Sequence, residues 1–235
     1  MINYAHRGFS ERYPENTMYA FYMALEARAD GIETDIQRTA DGVPVLFHDA
    51  TLERILGIGG SIRDHTLAEL SRMDFGAWKG AQFAGEPIVT LEEFLRRFGM
   101  RRLSFALELK QEGVGPDVLE AVGRFGVRDR VILTSFMPGE LAAVRRLDPD
   151  IRLGYLTREA DEEAFRFIAE NRIQQLCPHI DRFSGEQLAR AREAGLSVRF
   201  WGISSRERMM KAIESGADGM TVNDPSALSA ALGRL

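Results

Sequence analysis

A single cysteine, Cys177, occurs in the 235 residues, so no intrachain disulfide can brace this chain. It sits inside the apolar run from Ile173 to Pro178, the setting of a buried structural thiol rather than a nucleophile. Long hydrophobic runs are missing too. None reaches the ~20 apolar residues of a membrane span, which argues against stable membrane insertion. Strand-like sequence begins at Ile2, leaving no room for a charged segment followed by an apolar secretion core, and a cytoplasmic location is expected. Nor is there an excess of positive charge: 30 Lys and Arg stand against 35 Asp and Glu, a net charge of −5, with the basic residues scattered. Without a basic face to hold a phosphate backbone, nucleic acid is not an expected partner. Low-complexity tracts and interdomain linkers are also lacking. At 45% hydrophobic and 28% charged, the composition is that of one globular unit with a substantial core.

Short apolar runs alternating with amphipathic stretches are what the chain has in quantity. The runs fall at 2–5, 31–36, 103–109, 130–134, 151–155, 173–177, 197–201 and 219–222, which makes about eight strands. Between them the helical period recurs, as in Met18, Phe21 and Leu25 or Leu141, Val144 and Leu147. Alternation at this count predicts a single closed (β/α)8 barrel of the TIM type over 1–235. An open doubly wound sheet is the weaker alternative, because periodicity alone does not establish closure. An extra strand at 43–47, after the turn residues Asp41 and Gly42, pairs as a hairpin with 31–36. The glycine-rich segment from about 51 to 87 reads as an insertion above the barrel mouth. Its Gly57-Ile58-Gly59-Gly60 lacks the Lys and helix start of a phosphate-cradling loop and is expected to be an ordinary turn. A helix over 225–235, with Leu228, Ala231 and Leu232 on one side, either closes the barrel, the commoner use, or meets a partner.

Polar residues gather at the carboxyl ends of these strands, the rim where barrel active sites lie: His6 and Arg7, then Glu33 and Asp35, then Glu108 and Lys110. Glu33 and Asp35 are two residues apart, so a strand projects both from one face, while Ile32, Thr34 and Ile36 turn to a covering layer. Adjacent buried carboxylates repel each other and resist desolvation unless a hard divalent cation lies between them. Glu108 and Lys110 repeat the spacing, and Glu108 completes a three-carboxylate set. His6 and His48 each end an apolar run, and an imidazole exchanges protons near neutrality.

With these residues in place the sequence resembles the glycerophosphodiester phosphodiesterase family. The family's opening pattern stands here as His6, Arg7, Gly8 with Pro14, Glu15, Asn16, Thr17, and its Glu-x-Asp as Glu33, Thr34, Asp35. Thr39, Ala40, Asp41, Gly42 match its Thr-x-Asp-Gly turn, His48 and Asp49 its His-Asp pair, and Glu108, Leu109, Lys110 its Glu-x-Lys. Ser135, Phe136, Trp201 and the stretch from Ala217 to Pro225 extend the resemblance over nearly the whole chain. It implies a barrel that hydrolyses glycerophosphodiesters to glycerol 3-phosphate and an alcohol. One divalent ion, Mg²⁺ or Ca²⁺, is implied on Glu33, Asp35 and Glu108, with acid–base roles for His6 and His48. His6 is assigned as base and His48 as acid, although the swapped assignment fits the residues equally well. Arg7 and Lys110 suit charge-assisted bonds to the phosphate. The nucleophile is either activated water or the substrate's own 2-hydroxyl.

Other residues carry two readings. Glu15 and Asn16 begin the first helix after Pro14, so helix capping accounts for Asn16 as well as support of Arg7 or the metal ligands does. Trp201 and Phe136 either wall the pocket or pack in the core. His65 is expected in a surface turn and His179 in a rim loop. The chain departs from the family at Trp201-Gly202-Ile203-Ser204 and at Asn223, positions that bear on the choice of alcohol. Rival activities are a phospholipase D-type reaction on lysophospholipids or sphingomyelin, and a non-catalytic barrel that binds a phosphorylated ligand. Two proton carriers beside a full carboxylate set exceed what binding alone needs. The oligomeric state is left open.

Overall fold

Alternation along β1 (Ile2–His6) sets the pattern for the whole molecule. Ala5 packs outward against Ala24 and Ala29, whereas Tyr4 points along the barrel interior to Ala106 and Ile132. The computed structural model describes residues 1–234. Strands β2 (Gly31–Arg38), β4 (Ser104–Leu109), β5 (Val131–Ser135), β6 (Leu153–Thr157), β7 (Gln175–Pro178), β8 (Ser197–Ile203) and β9 (Gly219–Val222) follow β1 in parallel. Because β1 pairs with both β2 and β9, the eight strands close on themselves, as predicted. The short β3 (Pro44–Leu46) lies antiparallel on β2 with Ile36 opposite Leu46, the expected hairpin.

Helices alternate with the strands: α1 (Met18–Glu26), α4 (Leu91–Phe98), α5 (Gly115–Arg124), α6 (Pro138–Leu147), α7 (Glu162–Glu170), α8 (Gly185–Glu193), α9 (Arg206–Glu214) and α10 (Pro225–Ala231). The main core lies between strands and helices and includes Phe21, Ile32, Ile36, Phe94, Phe105 and Leu133. None of the described helices is long and apolar enough to cross a membrane. Several strands start later than the apolar runs suggest, β6 at Leu153 and β7 at Gln175. Ile151 and Ile173 are apolar because they enter the core just before the ladder begins. Helix α10 stops at Ala231, ahead of Gly233 at φ +68°, and Leu235 lies outside the described residues.

Between β3 and α4 run two four-residue helices, α2 (Glu53–Leu56) and α3 (Leu67–Leu70), and two single 3₁₀ turns. They cover an apolar cluster of their own, formed by Phe47, Leu52, Ile55, Ile62, Leu70, Phe75 and Ile88 with Val45. Gly57, at φ +69°, simply ends α2 by donating to Glu53 O, and His65 closes the turn Ile62–Asp64.

Inside the barrel, polar groups pack beside Tyr4, Ala106 and Ile132. Arg199 on β8 is fully buried and donates to Gln175 Oε1 at 3.0 Å, to Thr221 Oγ1 and to Cys177 Sγ, with Tyr4 beneath the guanidinium. Gly154 makes room for this group, since a Cβ there would lie 2.9 Å from Thr134 and 3.3 Å from Cys177 Sγ. Burial pushes the Cys177 thiol up, so it stays protonated and structural.

Candidate functional site

Strand register brings the carboxylates together. Asp35 on β2 lies beside Glu108 on β4, and Glu33 beside His6 on β1. Each of Glu33, Asp35 and Glu108 offers an oxygen, and these atoms all fall within 4.8 Å of one another. The three side chains are buried, and Glu33 Oε2 and Asp35 Oδ1 have no hydrogen-bond partner. Buried oxygens left bare in this way carry a desolvation cost that only a cation or a proton relieves. A hard, all-oxygen donor set of this size therefore fits a divalent ion.

Electrostatics around the three differ. Burial alone raises the Asp35 carboxyl, but Arg7 Nε at 3.2 Å, His48, Lys110 and a 3.0 Å bond from Asn16 Nδ2 hold it below the usual range. Glu33 is pushed well above that range by burial and by the charges of Asp35 and Glu108. Glu108 rises to about 7 from burial and Asp35, although Lys110 Nζ lies 3.1 Å from its Oε1.

The two histidines flank the carboxylates with unlike partners. His6 Nδ1 lies 2.6 Å from Asn223 Oδ1, a neutral acceptor, and its Nε2 is 3.9 Å from Glu33 Oε2. Although 31% of the side chain opens onto the cavity, burial and the neighbouring Arg7 lower its pKa to about 4. His48 Nδ1 lies 2.7 Å from Asp49 Oδ1, a carboxylate. In both rings Nδ1 is occupied by an acceptor, which leaves Nε2 for chemistry.

A strained turn carries Arg7 to the rim. Arg7 and Asn16 both take φ of +56°, and Gly8 takes +84° with Ala20 backbone atoms only 2.7 Å from where a Cβ would be. The first helix begins at Met18 rather than at Glu15, and Thr17 caps it by accepting from Ala20 N at 3.2 Å. Asn16 is therefore no cap: it bonds Asp35 and accepts from Thr34 Oγ1 at 2.7 Å. Glu15 accepts from Arg7 Nη1 at 2.8 Å, as support of Arg7 requires.

A cavity of about 240 Å³ opens beside these groups. His6, Arg7, Glu33, His48 and Glu108 form its polar side, and Phe136, Leu156, Trp201 and Ile203 its apolar side. Trp201 and Phe136 meet edge to face at 5.2 Å, so both act as wall. Lys110 does not line this cavity. It borders an adjoining depression with Gln37, Asp49 and Arg63, and His48 borders both. His179 stands behind Trp201, edge-on at 4.6 Å, and Gly202 leaves the space its ring fills. Sequence reasoning missed Arg199, which borders the cavity from below; its two-residue spacing from Trp201 on one strand was the available signal.

The model of the glycerophosphoryl diester phosphodiesterase family matches residues 6–227. A glycerophosphodiester phosphodiesterase of Caldanaerobacter subterraneus subsp. tengcongensis is 32% identical over 95% of this chain and 94% of its own length. One from Bacillus altitudinis is 33% identical, over 94% of each. Among solved structures, an Oleispira antarctica phosphodiesterase in complex with its product sn-glycerol-3-phosphate superposes with a TM-score of 0.92 at 28% identity. That superposition covers 98% of this chain and 96% of the other.

Proposed function

The chain belongs to the glycerophosphoryl diester phosphodiesterase family, and from that premise we propose that it hydrolyses glycerophosphodiesters to glycerol 3-phosphate and an alcohol by metal-assisted, two-histidine chemistry. The observation that carries this reading is the buried set Glu33, Asp35 and Glu108, with two unpartnered oxygens, between His6 and His48. These carboxylates would hold one divalent ion, Mg²⁺ or Ca²⁺, which supplies Lewis-acid polarisation of a nonbridging phosphate oxygen when bound.

The remaining work falls to the chain itself. Arg7, fixed by Asp35 and Glu15, points its guanidinium at the cavity, where it neutralises charge growing on the phosphate. Lys110 acts on the same site chiefly through Glu108. His6, neutral at physiological pH with Nε2 free, accepts the proton of the attacking hydroxyl, whether of water or of the substrate. His48, with a carboxylate at Nδ1, is the member of the pair suited to donate its proton to the departing alcohol. Phe136, Leu156 and Trp201 offer an apolar face to the carbon skeleton and exclude water from one side.

The cavity accommodates a glycerol-sized group, and an adjoining depression of about 380 Å³ beyond Ile203, Ser204 and Asn223 is where a longer alcohol would extend. Product analysis across glycerophosphocholine, glycerophosphoethanolamine and lysophosphatidylcholine tests this. Release of glycerol 3-phosphate from the first two, at least about tenfold faster than turnover of the third, is expected; the reverse order would favour the phospholipase D-type reaction.

A further inference from the structure

We propose that Arg54, on α2 of the segment between β3 and α4, is a positioning residue for His48, acting through Asp49. The inference rests on the reading of His48 as a proton carrier and adds a residue to it. Asp49 shares its two oxygens between the partners: Oδ1 lies 2.7 Å from His48 Nδ1, and Oδ2 accepts from Arg54 Nε at 2.6 Å. The Asp49 carbonyl accepts from Gln37 Nε2 at 2.8 Å, so Gln37 holds the backbone and Arg54 the side chain.

The opposite edge of the same guanidinium grips Glu15 with two bonds, Nη2 to Oε1 at 2.7 Å and Nη1 to Oε2 at 3.0 Å. Glu15 in turn accepts from Arg7, which pairs with Asp35. One planar cation thus spans two carboxylates and ties His48 to the anchor of Arg7. A lone exposed ion pair contributes little, but a planar fork held between two fixed acceptors gains geometric definition that a point charge lacks. The guanidinium also lies 5.1 Å from the Trp78 ring centroid, and Trp78 is itself pinned by its Nε1 donating to Phe75 O at 3.0 Å. Without Arg54, Asp49 keeps its charge but can rotate off Nδ1, and the His48 ring loses its aim at the cavity.

The test is a double-mutant cycle on glycerophosphocholine with the full-length protein and saturating Mg²⁺, combining Arg54→Met with Asp49→Asn and using His48→Ala as reference. Arg54→Met is expected to lower kcat about tenfold or more while KM moves less than about threefold. Arg54→Lys should recover part of the loss, and in the Asp49→Asn background Arg54→Met should cost less than about threefold. An equal cost in both backgrounds, or wild-type kcat in Arg54→Met beside an impaired His48→Ala, would overturn the inference and leave the reading of His48 standing. A His48→Ala protein as active as wild type would remove both. Should Arg54→Met unfold, shown by its thermal midpoint, Arg54→Lys completes the same cycle and is judged by the same ratio.

Discussion

At the scale of single residues, the question is how one barrel tolerates three neighbouring buried carboxylates. Lys110 beside Glu108 and Arg7 beside Asp35 answer part of it, and Glu33 is left with no direct cation. Glu108 carries a measurable consequence. Its folded-state pKa of about 7 lies above its ordinary 4.5, so its stabilising proton is fully held below 4.5 and lost as pH rises through 7. His6 pulls the other way at lower pH, because a histidine held at about 4 forfeits stability below 6.5. Because the charge of Asp35 raises both Glu33 and Glu108, and that of Glu108 raises Glu33, the difference between wild type and Glu108→Gln reports on the carboxylate cluster as a unit. In chelator the thermal midpoint of the variant should gain on that of wild type as pH rises from about 5 through 7, until the variant is the more stable. A gap independent of pH would contradict this assignment. The gathering of the carboxylates and histidines around one cavity was legible from their spacing and strand-end positions. Asn16 was only half legible, since a left-handed backbone rather than a helix start decides its role.

At the scale of elements, the turn after β1 and the register between strands do the positioning. Parity along β2 sends Glu33 and Asp35 inward, and the ladder to β4 sets Glu108 beside Asp35. The two-residue period therefore foretold the meeting of the carboxylates, and the closing β1–β2 ladder, which no periodicity can reveal, sets His6 beside Glu33. Gly8 is the weak point of the turn, for a methyl group would strike the Ala20 backbone in a conformation that already disfavours L residues. Gly8→Ala should destabilise the protein by ~1–3 kcal/mol and, by displacing His6 and Arg7, lower kcat as well. Unchanged melting and turnover would show that the turn has slack. The strand starts misjudged from sequence, at β6 and β7, share one cause: burial against helices demands apolar residues whether or not the ladder has begun.

At the scale of the whole molecule, the charge of the site is set from several strands at once. Glu33, Asp35 and Glu108 bring three negative charges, while Arg7, Lys110 and the buried Arg199 bring three positive ones. Burial holds Glu33 and Glu108 toward the protonated form, so a divalent ion bound there would displace their protons and offset the second negative charge that a phosphodiester gains as the nucleophile attacks. Arg199 was not foreseen because it lies inside the barrel within an apolar run, where only its two-residue spacing from Trp201 marks it as inward-facing. The account stands on a cation that the three carboxylates bind and the reaction needs. Release of glycerol 3-phosphate from glycerophosphocholine, followed in protein stripped by chelator and then titrated with Mg²⁺ or Ca²⁺, tests it most directly. Activity should vanish on stripping and return with one ion per chain in wild type but not in Glu33→Ala; full activity in the stripped protein would contradict it.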